Sequence, residues 1–327
     1  MRTLRPLLIC GVAIILAACS EPDLRSRAEG GDSMAQYSLG LKYHKGEGVP
    51  KDLVQAVTWY RKAAEQGYAN AQYNLGICYD NGEGVPKDLV QAVTWYRKAA
   101  EQGDALAQSN LGNCYHNGEG VPKDLVQAVT WYRKAAEQGD AQAQNNLGDS
   151  YYNGEGVKED RTEAAKWFRK AAEQGDAQAQ NNLGNCYYNG EGVPKDLVQA
   201  VTWYRKAAEQ EDAQALSNLG YCYANGQGVP KDFTEAVKWY RKAACQGGDI
   251  AQFELARMYD EGEGVPKDHS EAYSWYNLAG ISIDGARKRR DELEKSLSGE
   301  QKARAQQRST DLHKEIEAKI AAKKAGK

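Results

Sequence analysis

Aromatic and small apolar residues recur along the chain with a period of 36 residues, and polar residues separate them. A segment reading KDLVQAVTWYRKAAEQ occurs four times without change. A fixed period of this length is typical of repeat proteins, in which each unit is one supersecondary element that packs on its neighbours. Tryptophan marks the same place in all seven units: Trp59, Trp95, Trp131, Trp167, Trp203, Trp239 and Trp275.

Each unit contains two amphipathic helix patterns, of which the first is called helix A. In one unit Ala107, Leu111 and Tyr115 lie four residues apart, which predicts a helix with a single apolar face. Asp104 is its expected N-cap. The helix is expected to end at Gly118, because glycine readily adopts the left-handed conformation that closes a helix.

The second pattern, called helix B, follows a GEGVPK loop whose Pro122 discourages any continuation of helix A. Asp124 and Gln127 have the spacing of a capping box. The predicted apolar face of helix B is rich in aromatic residues and alanine, and comprises Ala128, Trp131, Tyr132, Ala135 and Ala136. Recurring Trp-Tyr pairs could line an aromatic ligand groove, but packing in the core is the favoured interpretation.

Neither helix can bury its apolar face alone, so neighbouring units are expected to stack and share a core. Gly112 lies inside helix A, where glycine costs about 1 kcal/mol relative to alanine. We expect close approach to the alanine-rich face of helix B to compensate for that cost. The sequence therefore predicts an all-α protein built from helix-turn-helix units.

Residues 32–283 resemble the Sel-one-like repeats, relatives of the tetratricopeptide repeat, through the pattern A-x-x-x-L-G-x-x-Y-x-x-G-x-G-V-x-x-D-x-x-x-A-x-x-W-Y-x-K-A-A-x-x-G. Departures are small: residues 157–159 read VKE in place of VPK, Glu211 replaces the closing glycine, and Ala256 replaces the in-helix glycine. The resemblance implies a right-handed α/α superhelical solenoid of seven 36-residue repeats, in which helix A lines the concave surface.

The pattern stops after Ile283, and residues 284–327 are expected to form capping helices with a basic tail. Ser298 and Gln301 have capping-box spacing, and the helix that they begin carries Leu312, Ile316 and Ile320 at intervals of four. A basic run at residues 287–290 is interpreted as a solvated face of this cap, although a patch for an acidic partner is the alternative.

The N-terminus has the features of an export signal, with arginines followed by the uncharged apolar run Leu7 to Ala18, which is too short to cross a bilayer. Its end, Leu-Ala-Ala-Cys, resembles the bacterial lipobox. That resemblance implies cleavage of a signal peptide at 1–18 and acylation of Cys19, with palmitate for example. An ordinary secretory signal is the alternative. Residues 19–31 are interpreted as a polar tether, and Ser20 after the cysteine favours the outer membrane, facing the periplasm, within the bacterial cell envelope.

The net charge and the candidate chemical motifs disfavour several classes of function. The formal net charge is −3, so the chain lacks the strong basic excess typical of nucleic-acid binding. We expect no metal and no cofactor, because no CxxC or paired-histidine spacing occurs. One repeat position holds four cysteines, expected to be free thiols in the core because stacked helices place them too far apart to bridge: Cys78, Cys114, Cys186 and Cys222.

The outer face of helix A differs between copies, and the resemblance implies that it contacts a ligand. An asparagine ladder runs along it, whose amides can bond an extended peptide. Solvated helix surface or bonds between repeats explain the ladder equally well. The candidate contact residues are Tyr37, Tyr73, Asn74, Asn110, Asn146, Asn182, Asn218, Tyr221 and Phe253.

Three functions are consistent with these features. The favoured one is a monomeric, non-catalytic, envelope-anchored adaptor or scaffold that binds an unknown protein or peptide along the concave helix A surface. The resemblance also implies an alternative, since some secreted members of the family are linked to binding or hydrolysis of β-lactams or cell-wall peptides. No nucleophile, base and orienting group form a constellation in the sequence, which disfavours an enzyme. The third function is a purely structural envelope component.

Overall fold

The computed structural model describes residues 20–325, and side chains within residues 24–323. The proposed signal peptide and Cys19 lie outside the described residues. Within residues 20–325 every regular element is an α-helix, which confirms the predicted all-α class. The chain divides into two compact units, unit 1 up to Glu159 and unit 2 from Asp160, which are described separately.

The helices alternate in the two kinds that the sequence predicts. Unit 1 contains α1 (Ser20–Glu29), α2 (Ser33–Lys45), α3 (Leu53–Glu65), α4 (Ala69–Asn81), α5 (Leu89–Glu101), α6 (Ala105–Asn117), α7 (Leu125–Glu137) and α8 (Ala141–Asn153). Unit 2 contains α9 (Arg161–Glu173), α10 (Ala177–Asn189), α11 (Leu197–Glu209), α12 (Ala213–Asn225), α13 (Phe233–Ala244), α14 (Asp249–Glu261), α15 (His269–Ala279), α16 (Asp284–Ser296) and α17 (Gly299–Ala325). From α2 to α15, even numbers are helices A and odd numbers are helices B.

The helices begin and end where the capping residues predict. The Asp104 carboxylate accepts a hydrogen bond from the Ala107 amide at 2.8 Å. Asp124 accepts from the amides of Val126 and Gln127, both at 3.0 Å. These bonds satisfy amides that have no partner inside the helix. Gly118 closes α6 in the left-handed conformation, with φ 78°. The predicted caps at Asp104, Asp124 and Gly118 are confirmed. The reciprocal half of the capping box is not formed, because the Asp124 amide donates to the Tyr115 carbonyl at 2.9 Å.

The two helices of a repeat touch through glycine and tyrosine. A Cβ added to Gly112 would lie 2.5 Å from Cδ1 of the Tyr132 ring, so any larger residue would collide with it. The compensation expected for this glycine is therefore found, but its nearest neighbour is the tyrosine ring rather than the alanines. Tyr132 is almost completely buried there.

Tryptophan packs in the core, as predicted. Trp95 is buried in the cluster formed by the preceding repeat, and the ammonium of Lys98 lies 4.0 Å from its ring centroid. The lysine stem thus covers the outer side of the ring, while its charge stays in water. The same arrangement holds at Trp59, Trp131 and Trp167, whereas Trp203 and Trp239 are half-buried.

Buried glutamines join one repeat to the next. The Gln72 side chain donates to the carbonyl of Ala64, at the end of the preceding helix B, at 3.0 Å. Its own Oε1 accepts from Gln102, 30 residues further on, at 2.6 Å. The bonds satisfy a helix C-terminus and a buried amide together. They recur at other junctions within each unit.

The loop between helices A and B forms part of the same junction. Gly120 has φ 69°, and a Cβ there would lie 2.2 Å from the carbonyl oxygen of Leu89, in the first turn of the preceding helix B. Backbone therefore packs on backbone, which only glycine permits. The second glycine of the GEG loop is thus a contact between repeats as well as a turn residue.

The stretch interpreted as a tether contains a helix, α1, from Ser20 to Glu29. Ala28 is 1% exposed and packs with Ala35, Leu39 and Trp59. The Gln36 side chain donates to the Ala28 carbonyl at 3.0 Å, as Gln72 does to Ala64. A shift of 36 residues superposes these contacts, so α1 is the C-terminal part of a helix B and covers the first repeat.

Two helices follow the last repeat and cover its apolar side. Ser298 and Gln301 bond each other's backbone amides, at 3.0 and 3.2 Å, and so begin α17 with a capping box. Leu312 and Ile316 of α17 and Leu293 of α16 join the core cluster of unit 2. In the basic run, the Arg289 guanidinium bonds a buried carboxylate of the last repeat, so this run is partly a docking contact rather than only a solvated face.

Candidate binding surface

The candidate contact residues are mostly half-buried between helices. Tyr37 packs on Tyr60 and Tyr68, with ring centroids 5.9 and 5.2 Å apart. Phe253 packs on Tyr276 at 5.6 Å, and Tyr73 on Tyr96 in the same way. Tyr221 is the one candidate with an exposed side chain, 45% of which is accessible. The aromatic candidates other than Tyr221 therefore pack against helix B.

In unit 1 the asparagine ladder connects successive helices A. Asn146 donates through Nδ2 to Oδ1 of Asn113 at 3.0 Å. The hydroxyl of Tyr132 donates to the same oxygen at 2.8 Å. One asparagine oxygen thus joins a helix B and the next helix A. At the start of the unit, burial raises the pKa of Tyr37, and the nearby Asn74 side chain lowers it in part.

Unit 2 repeats this arrangement. Asn218 donates to Oδ1 of Asn181 at 2.9 Å and of Asn185 at 3.2 Å, and Tyr204 donates to Asn185 at 2.8 Å. The ladder therefore makes bonds between repeats, which was one of the alternatives open from the sequence. Contact of the ladder with a ligand stays a prediction.

A second row of residues lies three positions after each ladder residue, and two of its asparagines have a side-chain donor without an acceptor. Asn113 and Asn185 accept two hydrogen bonds each through Oδ1. Among the described side chains, none accepts a hydrogen bond from Nδ2 of either residue. Of this row, only Tyr221 was predicted from the sequence as a ligand contact. Every position of the row varies between repeats, and that variation could have indicated the other residues. Nδ2 of these two asparagines can donate to the carbonyl of a bound peptide.

Tyr188 and Tyr221 form an aromatic pair on unit 2. Their ring centroids are 6.3 Å apart at 73°, which is an edge-to-face arrangement. The hydroxyl of Tyr188 donates to Gln227 of the next loop. Burial raises the pKa of Tyr188 to about 12, so the hydroxyl stays protonated and can act as a donor at neutral pH.

Charge is divided between the two helices of a repeat. Residues 69–86, 105–122 and 141–157, which comprise helix A and the first part of the loop after it, contain five carboxylates and no lysine or arginine. The loops continue with Lys87, Lys123 and Lys158. Helix B carries an Arg-Lys pair in each repeat of unit 1. His44 and His116 each lie near a loop glutamate, at 3.9 and 4.0 Å. With these parts of the loops, helices α4, α6 and α8 are therefore acidic, whereas α2 carries Lys42 and Lys45. The carboxylates are Asp80, Glu83, Glu119, Asp149 and Glu155.

The cysteines of the described part of the chain are free, as predicted, and those at the repeat position are buried. Burial raises the pKa of Cys78, Cys114 and Cys222 to about 12, so these thiols are protonated at neutral pH. Residues 20–325 contain no cluster of three or more potential metal ligands. No helix in that range has the length and apolar character needed to span a membrane.

The repeats match a known family. The profile of the Sel1 repeat matches residues 33–68, 69–104, 105–140, 141–176, 177–212, 213–248 and 249–280. The chain belongs to the Sel1 repeat family. The chain is similar to the crystal structure of a protective antigen of uropathogenic Escherichia coli that displays an SLR fold. That match has a TM-score of 0.67 and 37% identity, over 91% of this chain and 71% of the antigen.

Two further proteins are similar. A Sel1 repeat protein from Oxalobacter formigenes has a TM-score of 0.68 and 36% identity, over 83% of this chain and 78% of the other. The secretory immunoglobulin A-binding protein EsiB of Escherichia coli O6:H1 is 45% identical over 40 residues, which is 12% of this chain. The chain matches only 8% of the length of EsiB, about one repeat, so this likeness reflects the shared unit.

Proposed function

We propose that the protein is a non-catalytic scaffold of the bacterial cell envelope, anchored by lipid on Cys19, that binds a protein or peptide along its helices A. The observation that carries the binding proposal is the second row on these helices. The Nδ2 donors of Asn113 in unit 1 and Asn185 in unit 2 have no acceptor among the described side chains, and the Tyr221 side chain is exposed. The sequence after the apolar run supports the anchor, with the outer membrane facing the periplasm as its proposed place.

The division of charge supports a particular kind of ligand. With the loop segments that follow them, three of the four helices A of unit 1, α4, α6 and α8, carry carboxylates without lysine or arginine, whereas α2 carries Lys42 and Lys45. The Asn113 amide of the second row offers a donor on the same unit. An extended segment with exposed carbonyls and some positive charge would pair with both. Membership of the Sel1 family agrees with binding to other proteins. The partner is proposed to be such a segment of another envelope protein.

The buried thiols disfavour catalysis by a cysteine nucleophile in the repeats. A cysteine nucleophile must be a thiolate within reach of substrate, whereas Cys78, Cys114 and Cys222 are buried and protonated at neutral pH. The proposed scaffold therefore shows no turnover of nitrocefin above the blank. Turnover would favour the β-lactam alternative.

The binding surface is tested with a photo-crosslinking amino acid placed at Tyr221 in cells. Gln199 provides a matched control, because it is exposed on helix B of the same unit. We expect a discrete crosslinked band from position 221 that is absent from position 199. A second variant, Asn185→Asp, keeps the oxygen that accepts from Tyr204 and Asn218 but removes the Nδ2 donor of the second row, and should weaken the band several-fold.

The same experiment can reject the proposal. Equal bands from positions 221 and 199 would show that helix A is not the preferred surface. Absence of any band from 221 would favour a purely structural component.

A further inference from the structure

The first described helix determines which edge of unit 1 receives the N-terminal segment. A shift of 36 residues places Ser20 of α1 at Ala56 of α3 and Ala28 at Ala64, and the hydrogen bonds at the two helix ends agree. Helix α1 therefore runs in the same direction as the helices B. Ser20 is thus equivalent to Ala56, which lies two residues, or about 3 Å along the helix axis, from Val54.

The edge at this level is called the loop edge. It consists of the loops between helices A and B, residues 46–52, 82–88 and 118–124, and the first turn of each following helix B. Gly84 demonstrates that these parts adjoin, since a Cβ on it would lie 3.0 Å from the Val54 amide of the preceding repeat. The N-terminal segment enters unit 1 at the loop edge, immediately after Cys19.

A row of exposed valines occupies the loop edge. Val54, Val90 and Val126 are 61%, 60% and 61% exposed, although each neighbouring turn of helix B is well packed. They recur every 36 residues in three successive repeats and form no part of the core. A regular exposed apolar row of this kind marks a candidate interaction surface.

Lysines stand beside the valines. Lys51, Lys87 and Lys123 precede each helix B and are exposed. Asp52, Asp88 and Asp124 also lie here, but each caps a helix through backbone amides, so its charge is compensated. Loop glutamates 47, 83 and 119 add negative charge, so each loop has two carboxylates and one lysine, and the edge is amphipathic and net acidic. Long lysine stems can extend to phosphate while valines enter the apolar boundary.

The opposite edge, formed by turns from helix B to the next helix A, differs. Met34 and Leu106 are exposed there, but Asn70 and Gln142 occupy the equivalent places in alternate repeats. That edge therefore has no continuous apolar row. The chain also enters unit 1 away from it.

We propose that the loop edge of unit 1 lies against the surface of a phospholipid bilayer, with Val54, Val90 and Val126 inserted at the interface. This inference rests on the proposed acylation of Cys19. Because α1 is packed on the first repeat, an acylated cysteine before Ser20 holds the loop edge close to the lipid instead of on a long tether. A bilayer is the occupant that continuity with the anchor selects. The helix A surface stays free for its own ligand.

The test uses the full-length lipoprotein, purified from cells and reconstituted in vesicles of phosphatidylethanolamine with a minority of phosphatidylglycerol. Cys245, the partly exposed thiol, is first replaced (Cys245→Ser). An environment-sensitive nitrobenzoxadiazole label is attached at Val90→Cys, or at Asn70→Cys as the matched control on the opposite edge. We expect a shift to shorter wavelength and quenching by nitroxide lipids for position 90 only.

A second variant tests the valines themselves. Thr162 and Thr234 occupy the valine position in other repeats, so the triple change of Val54, Val90 and Val126 to Thr is compatible with the fold. With the label at Lys87→Cys, this triple variant should lose most of the quenching seen in the parent. Unchanged quenching would overturn the role of the valines.

The outcomes separate the inference from the anchor. Mass spectrometry of the N-terminal peptide reports acylation. Acylated Cys19 with a solvent-exposed label at position 90 would overturn the docking inference and leave the anchor standing. An unmodified Cys19 would overturn both. Protection of position 90 in native envelopes but not in lipid vesicles would show that a protein covers this edge, which also overturns the inference.

Discussion

At the scale of single residues, one position shows strain that the other repeats avoid. The turn after helix B is closed by glycine at positive φ in most copies, for example 95° at Gly103 and 97° at Gly175. Glu211 occupies this place after α11 and has φ 61°, the only non-glycine residue of positive φ among those described. A side chain there approaches the backbone closely, which costs roughly 1–2 kcal/mol.

Glu211→Gly should therefore raise the free energy of unfolding by about 1 kcal/mol, since relief of strain is partly offset by the greater flexibility of the unfolded chain. Urea unfolding followed by circular dichroism measures the change. Glu209→Gly, at the end of the same helix, is the control and should destabilise. A stabilisation common to both changes, or none at 211, would contradict the explanation.

Some residue roles could be predicted from local sequence and others could not. Asp104, Asp124 and Gly118 act within a few residues of themselves, so their spacing was sufficient to predict them. The bond from Asn146 to Asn113 joins residues 33 apart, and it depends on how closely two helices A approach. Spacing can align a ladder but cannot decide whether its amides face solvent, a ligand or each other.

At the scale of elements, the loop between helices A and B is more than a connection. Gly120 lies against the backbone of Leu89 in the preceding repeat, whereas Gly139 has a similar positive φ of 97° with no atom near its missing Cβ. A substitution at Gly139 therefore tests the backbone strain alone, whereas one at Gly120 tests the strain together with the steric clash.

Gly139→Ala should lower the free energy of unfolding by about 1–2 kcal/mol, from backbone strain alone. Gly120→Ala should lower it by roughly 1–3 kcal/mol more, because the added methyl group collides with a carbonyl and must displace the repeat junction. Denaturant titration of both variants measures the difference. Equal losses would show that the junction adjusts without cost.

Helix α1 was missed because its sequence was interpreted by composition. Residues 28–32 read AEGGD, which is close to the AEQGD that ends helix B before Asp104. The remainder of α1 lacks the Trp-Tyr pair, so the repeat signal is limited to its last turn. The capping helices were easier to predict, since α17 carries its own capping box and apolar spacing.

At the scale of the whole molecule, each unit buries many groups that can lose a proton only at alkaline pH. Desolvation by burial raises the pKa of Tyr60, Tyr96, Tyr132, Tyr204 and Tyr240 above their ordinary 10.0. It raises the pKa of Cys78, Cys114 and Cys222 from 9.0 to about 12. The unfolded chain therefore loses protons at a lower pH than the folded chain does.

Stability should be complete below about pH 9 and should fall as the pH rises from there to about 12, because ionisation favours the unfolded state over that window. Urea midpoints across the range measure the loss. Absorbance of tyrosinate should increase together with the loss of helical circular dichroism. Ionisation of most tyrosines while the helices remain intact would contradict the burial argument.

The glutamine junction has a consequence for how this gene can change. Every boundary within unit 1 uses the same bond, from one glutamine to another 30 residues earlier. Duplication or loss of the coding segment for one 36-residue repeat would leave the same glutamine bond at the new boundary. Nearly identical coding segments favour such recombination. We therefore expect the chain length to vary among strains by multiples of 36 residues, with each new boundary stabilised by the same contact.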